Sequence, residues 1–502
     1  MHVAHARFVL LASLVAPNPL AAAPPPSAVP AVPAVALPLR VSHVEIELAL
    51  DPPRAALQET VSLAVEGVGV SRLVFAIDEG LAVKTSRTSA GVIEHRQAGD
   101  ALIVDLDPPL DGVRTLTFTI GGQPGRHSES RIGPERAILA PSTPWYPRLD
   151  GMWATTVVTV RTPEGWGALA PGAPAPRRPA ATSRWVTDRP VRSIAVAAAP
   201  GLRVADGTVV ATPLRVATVG GTPSASVFAQ RLTPGMAWLS GALAPYPFDA
   251  FNIAVLPGFT GRVDASGMTI IGRDAPLATD SDGADLLAGQ WWGQRIGGDG
   301  AWIASFAAWE SCVFARDRAL PIPTDIAALR TAYFQLRSGD VALADAPSTA
   351  PLSILRGKGS AAVDMIRLVA GDRATFDAVR ELFEAPIGPS LSLARVRAAM
   401  EQHAERSLAR TFNDWFGRAG APEFAASLRS FPAANGGFRA DVALTQLRGA
   451  YALPVEIVIY GPGDEKRETI EVADEITSVF YVVPFPPTRI EVDPLNRIFR
   501  WK

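Results

Sequence analysis

From the forties onward, hydrophobic and polar positions alternate with a period of two. Val44, Ile46, Leu48 and Leu50 are interleaved with His43, Glu45 and Glu47, the pattern of a strand with one face in a core. The same alternation returns at Val61–Val65, Leu73–Ile77, Ala101–Leu106, Leu116–Ile120, Thr155–Val160 and Ser193–Ala197, with Pro and Gly turns between. These runs predict an antiparallel β-domain over residues 41–210. After about residue 225 the period becomes helical. Segments at Ala229–Leu243, Ala284–Gly293, Ala301–Arg318, Ser360–Val369, Thr375–Phe383, Leu393–His403 and Ser407–Phe416 predict a mostly helical domain over 211–432, holding one short strand at Asn252–Leu256. Alternation resumes at Phe438–Leu444, Val455–Tyr460, Thr469–Val472 and Arg489–Val492, predicting a small C-terminal β-domain over 433–502. The expected fold class is therefore multidomain α+β, and no internal repeat of fixed period is visible.

The first forty residues follow different rules. His2, His5 and Arg7 precede the apolar run Phe8–Ala16, and Ala21-Ala22-Ala23 offers a small-residue cleavage site, so residues 1–23 read as a signal peptide. Pro, Ala and Val dominate residues 24–40, a composition that builds a semi-rigid linker and no core. The expected location is secreted or periplasmic. No later segment approaches the roughly 20 apolar residues that span a bilayer.

Composition narrows the partners. Forty-seven basic residues against 49 acidic ones leave almost no net field, which argues against a nucleic-acid partner. The chain has one cysteine, Cys312, so it has no internal disulfide, and this residue reads as a small core hydrophobe. His43, His95, His127 and His403 are scattered and read as surface residues.

Several short motifs, taken in order, carry a resemblance. Trp145-Tyr146-Pro147-Arg148-Leu149-Asp150 and Thr162-Pro163-Glu164-Gly165-Trp166 lie in the first domain. Pro245-Tyr246-Pro247-Phe248-Asp249, Leu256-Pro257-Gly258-Phe259 and Gln290-Trp291-Trp292-Gly293 follow. Lys358-Gly359, Met365-Ile366-Arg367 and Gly371-Asp372 come next, then Phe412-Asn413-Asp414-Trp415-Phe416, Pro422-Glu423-Phe424, Leu453-Pro454-Val455 and Val492-Asp493-Pro494. None is specific alone. Together, over residues 44 to 500, the series resembles the aminopeptidase N family of zinc metallopeptidases, the gluzincins. That resemblance implies an N-terminal antiparallel β-domain, a thermolysin-like peptidase domain and a small C-terminal β-domain.

Such a peptidase needs two histidines four residues apart on one helix, with a glutamate between them as general base. A third ligand, again glutamate, comes from the next helix. Register on Gln290-Trp291-Trp292-Gly293 places Asp285 at the first ligand position, Leu286 at the base and Gly289 at the second ligand. Alignment of Trp302-Ile303-Ala304-Ser305 puts Ser305 at the third, after a connection about three residues shorter than the family's. No histidine occurs between His127 and His403 to rescue the set. Arg356 stands where the resemblance implies the carbonyl-polarising tyrosine. Gly261 and Asp264 align with the loop whose glutamate grips the substrate amine, so they are the expected substrate-binding residues. Zinc is the family's cofactor, yet its ligands are absent here, so the expectation is no metal and no cofactor.

One carboxylate at Asp285 gives too few oxygens for a hard cation. Glu310 is too far along its helix to be a displaced ligand and reads as solvated. No Gly-x-Ser-x-Gly elbow, Cys/His pair or phosphate loop supplies other chemistry. Arg356 is expected to pair with Asp285 or Asp264, because an isolated buried charge is costly. The expected function is a non-hydrolytic pseudopeptidase binding peptides or an envelope protein. An active zinc aminopeptidase with a non-standard site, or a structural envelope protein, are the alternatives. Expression with the native leader is expected to place the protein outside the cytoplasm. N-terminal sequencing should find the chain starting after Ala23, whereas an intact Met1 would refute the leader.

Overall fold

The computed structural model describes residues 39–175, 182–220, 224–272, 277–336, 338–384, 390–433 and 436–502. The leader and nearly all of the linker lie outside them. The first strand starts at Leu39, just inside the stretch expected to be linker.

The alternating runs become a nine-stranded sheet. Its order is Ala173–Pro174, Thr182–Val191, Ala154–Arg161, Leu39–Asp51, Ala56–Ala76, Ala101–Gly122, Leu81–Thr88 and Gly91–Val92, with His95–Ala98 also on Ala101–Gly122. Val44, Ile46 and Leu48 are buried while Glu45 and Glu47 face solvent, as the period of two requires. Every pairing is antiparallel except Leu39–Asp51 with Ala154–Arg161. A four-stranded sheet (Trp166–Leu169, Val196–Pro200, Ala137–Leu139, Arg131–Ile132) completes this part.

A second, mixed sheet carries the middle of the chain. It runs Leu202–Val209, Thr212–Val219, Phe251–Leu256, Met268–Gly272 and Arg262–Ala265. The boundary expected near 210 thus falls inside the Leu202–Val219 hairpin, whose alternation was not singled out in the sequence. Thr212–Val219, Phe251–Leu256 and Met268–Gly272 are parallel neighbours, and Arg262–Ala265 is an antiparallel edge strand.

Helices α1 (Ala225–Ala242), α2 (Asp280–Trp291), α3 (Ile303–Asp317) and α4 (Thr324–Tyr333) follow, then α5 (Gly359–Ala370), α6 (Asp372–Glu384), α7 (Leu393–Ala404) and α8 (Ala409–Trp415). Helix α2 is buried on nearly every side, which explains its poor amphipathicity. Small residues let α1 approach it. A Cβ on Gly283 would lie 2.3 Å from the Arg231 carbonyl, and one on Gly235 would lie 2.8 Å from Ala284 Cα. Thr279 and Asp282 close a capping box at the start of α2. The other oxygen of Asp282 accepts from the Thr324 N–H at 2.8 Å, fixing α4 to the same point. The Trp pair after α2 is core: Trp291 meets Tyr246, and Trp292 stacks on Phe306 with centroids 4.8 Å apart. Two three-stranded sheets, Phe424–Pro432/Phe438–Gln446/Ile476–Val483 and Glu465–Val472/Leu453–Tyr460/Arg489–Val492, end the chain. Among the described residues no helix is long and apolar enough to cross a membrane.

Cys312 is buried as expected. Glu310 is not solvated: it is fully buried on α3, and neither carboxylate oxygen finds a hydrogen-bond partner. Burial pushes its carboxyl from 4.5 up to about 8, and the Trp292 indole N–H relieves part of this without completing a hydrogen bond. An acid raised in the folded state binds more protons there than when unfolded, so stability falls as pH rises from 4.5 to about 8 and then levels. Denaturant titrations across that range should show Glu310→Gln with a flatter profile and a gain over wild type near pH 8. Parallel profiles would contradict the buried, unpaired state of this group.

Candidate functional site

A cavity of about 530 Å³ opens between the edge strand of the mixed sheet, α2, the start of α4 and the segment preceding α5. Its walls are apolar, from Phe259, Ile271, Leu277, Leu286, Leu329 and Leu352. Its charged lining consists of Arg262, Asp282, Asp285, Asp325 and Arg356.

Asp285 is the centre of this arrangement and is only 5% exposed. Arg356 sits in a π-helical turn, Ser353–Lys358, that leads directly into α5. A wider turn of this kind re-aims a side chain relative to a regular helix. Gly357 permits it, since a Cβ there would lie 2.6 Å from the Leu329 carbonyl of α4. From this turn Arg356 Nη2 donates to both oxygens of Asp285 at 2.6 Å. Arg262 approaches from the edge strand. Its Nη1 donates to Asp285 Oδ2 at 3.1 Å and to the Asp285 carbonyl at 3.0 Å, and its Nη2 donates to the Leu286 carbonyl at 2.9 Å. Ser311 of α3 adds a hydroxyl donor at 3.1 Å.

Burial alone would push the Asp285 carboxyl up, but Arg356 and Arg262 outweigh it and hold it below the ordinary 3.8. Burial also opposes the Arg262 charge, and Asp264 and Asp285 more than restore it.

The expected pairing of Arg356 is thus found with Asp285. Asp264 is taken by a different cation. Its oxygens lie 3.0 and 2.8 Å from Arg262 Nε, and Thr269 donates to it at 2.5 Å across the strand pair. Asp264 does not line the cavity, whereas Gly261 does. Gly289 faces the same group: a Cβ there would stand 3.3 Å from Arg262 Nη2 and 3.4 Å from Asp264 Oδ2. The guanidinium of Arg262 therefore uses space that a larger residue at 289 would need. Leu286 turns an alkyl side chain to the cavity. Ser305 is directed elsewhere, donating to the Leu355 carbonyl at 2.9 Å and packing against Gly359. Among the described residues no three His, Cys, Asp or Glu side chains are grouped so as to hold a metal ion.

Arg262 and Asp325 were not singled out in the sequence. Arg262 had a usable signal, since residues two apart on a strand share a face and Asp264 was already marked. Asp325 lies on α4, whose pattern is weak because only Ile326 and Tyr333 of its ten residues are buried.

No protein-family model matches this chain, and no curated protein matches it. Solved structures do. The M1 zinc metallopeptidase of Deinococcus radiodurans aligns with a TM-score of 0.65 and 19% identity, over 77% of this chain and 95% of that one. A mutant of that enzyme bound to a Tyr-Ser-Ala substrate aligns equally well, over 96% of its length. Legionella pneumophila aminopeptidase A, in complex with aspartic acid, gives a TM-score of 0.72 at 14% identity. It is matched over 91% of this chain, which spans 58% of that longer protein. The likeness is one of fold: an N-terminal antiparallel β-rich region, a helical middle and C-terminal β-sheets form the M1 aminopeptidase architecture.

Removing one member of a buried ion pair strands the other, at about 3–5 kcal/mol. Arg262 and Ser311 still hold Asp285 when Arg356 is removed, so Arg356→Ala should lose less than that range in urea unfolding, and Arg356→Ala with Asp285→Ala should lose less than the two single losses added. The folded Asp285 carboxyl is depressed, so its contribution is present above 3.8 and lost as pH falls through its lower folded value. The gap between wild type and Asp285→Asn should therefore narrow in acid. Additive losses and a pH-independent gap would show that the pair is not formed.

Proposed function

We propose that this chain is a member of the M1 aminopeptidase family that has abandoned hydrolysis and binds peptide segments in the cavity beside Asp285. The observation that carries the reading is the ion cluster of Arg356, Asp285 and Arg262 at the place where the family resemblance implies the metal. Both oxygens of Asp285 accept from guanidinium groups, so a divalent cation would have to displace one positive charge and lie beside the other. Gly289 supplies no ligand atom, and Ser305 is committed to the Leu355 carbonyl. This donor set does not fit zinc, which takes imidazole, thiolate and carboxylate donors in a tetrahedral set. Leu286 cannot accept a proton, and no other base replaces it at that position.

Two alternatives are weaker. An active enzyme with a non-standard site would need ligands from residues now engaged with one another. A closed structural scaffold would need the groove filled, whereas about 530 Å³ remains open and walled by apolar side chains, within the size of small-ligand sites. The same proposal carries export through the leader at residues 1–23, to a secreted or periplasmic location.

Purified full-length protein, incubated with zinc and then desalted, should release no chromophore from an aminoacyl-nitroanilide, while isothermal titration with apolar tripeptides should give a saturable isotherm. Turnover that is abolished by a chelator would overturn the non-hydrolytic reading. Absence of any heat or displacement with peptides would overturn the binding reading.

A further inference from the structure

The edge of a β-sheet exposes backbone N–H and C=O groups that template pairing with a further strand, and proteins protect such edges with charge, proline, bulges or short length. Among the described residues the edges of this molecule follow that rule with one exception. Glu465–Val472 carries charge at Glu465, Lys466, Arg467, Glu468 and Glu471, and Phe424–Pro432 carries Arg429 and Pro432. Leu202–Val209 carries Arg203 and Asp206, and Arg262–Ala265 carries Arg262 and Asp264. Arg489–Val492, His95–Ala98 and Arg131–Ile132 are both short and charged. Trp166–Leu169, Ala173–Pro174 and Gly91–Val92 span four residues or fewer.

The exception is Ile476–Val483. It runs for eight residues with no charge, proline or glycine, and its β-branched and aromatic side chains favour an extended strand. It pairs along its whole length with Phe438–Gln446, without a bulge, and among the described residues no strand pairs with its other edge. Its outward face presents Ile476, Phe480 and Val482 at 62%, 61% and 49% exposure, with the exposed Ser478 between them. The charges beside that face are already matched. Arg439 and Asp441 pair at 2.6 Å, and the Arg439 guanidinium lies over the Phe480 ring at 4.5 Å. This edge therefore gives an acidic or basic partner nothing to recognise, and it fits a strand as uncharged as itself.

We infer that a second copy of this chain covers the edge, the two Ile476–Val483 strands pairing antiparallel about a two-fold axis and joining two three-stranded sheets into one. An axis through Val479 sets Ile476 opposite the partner's Val482 and Ser478 opposite the partner's Phe480, so apolar meets apolar and small meets large on the outer face. Thr477 then faces the partner's Tyr481 on the inner face. No like charges meet, because the strand has none. Asp474 and Glu475, which precede it, fall beside the partner's Pro484 and Val483. A contact of this isologous kind closes at two copies, since each copy's free edge is consumed. Edge pairing alone gives a contact at the small end of specific interfaces, so the expected dimer is a micromolar one rather than an obligate one. None of these residues lines the cleft beside Asp285, and the inference is independent of what the cleft binds.

Sedimentation velocity on the full chain, from micromolar to near-millimolar concentration, should show monomer giving way to dimer and to nothing larger. Ser478→Lys, at an exposed position, brings two ammonium groups to the junction and should raise the dissociation constant about tenfold without changing the melting temperature. Phe480→Lys, also exposed, should do the same. Ile476→Cys combined with Val482→Cys should link two chains on mild oxidation, whereas either cysteine alone should not. Within one chain those positions stand about 20 Å apart along the strand, so the bond can only form between copies. The natural cysteine, Cys312, is buried and does not compete. A monomer at every concentration overturns the inference and leaves the edge to another protein. A dimer that both lysine variants leave intact, or that the paired cysteines fail to link, lies elsewhere on the surface and overturns it as well. Growth beyond two copies overturns the closed two-fold pairing.

Discussion

A carboxylate that is almost wholly withdrawn from water, clamped between two guanidinium ions, fixes the middle of this protein. Asp285 pays a large desolvation penalty, and only close, multiple charge-assisted hydrogen bonds can offset it. Those bonds come from three separate places: Arg262 on the edge strand, Arg356 on the π-turn before α5, and Ser311 on α3. Strand, turn and helices are therefore positioned by one group. A buried pair of this kind contributes less to net stability than to uniqueness, because any arrangement that separates the partners strands a charge in a low-dielectric interior.

Neighbouring residues leave room for the cluster. Gly289 leaves the space through which Arg262 reaches the helix carbonyls, and a side chain there would meet both the guanidinium and Asp264. Ser305 is small enough to pack on Gly359 and to hold the π-turn through the Leu355 carbonyl. Gly357 lets that turn touch α4. The result is a buried guanidinium–carboxylate network inside an architecture shared with M1 zinc metallopeptidases. Beside it lies a cleft of about 530 Å³ with largely apolar walls.

Much of this was legible in the residues alone. Period-two alternation located the strands that have one wet face, such as Leu39–Asp51, and the pairing of Arg356 with a nearby aspartate followed from the cost of leaving either alone. The parts that were hidden share a physical cause. Helix α4 buries too few residues to show a stripe, and the hairpin Leu202–Val219 has a strand with few buried positions. Glu310 looked solvated because α3 is buried on most of its circumference, which removes the polar face by which an exposed position is recognised. Asp264 is engaged by Arg262, which only the side-chain geometry reveals.

The central claim is that guanidinium, rather than metal, neutralises Asp285. Anomalous diffraction at the zinc absorption edge, from crystals equilibrated with excess zinc, tests it most directly. The expected map shows Arg356 and Arg262 in contact with Asp285 and no anomalous peak beside that carboxylate. A peak at coordination distance from Asp285, with Arg356 swung away, would contradict it.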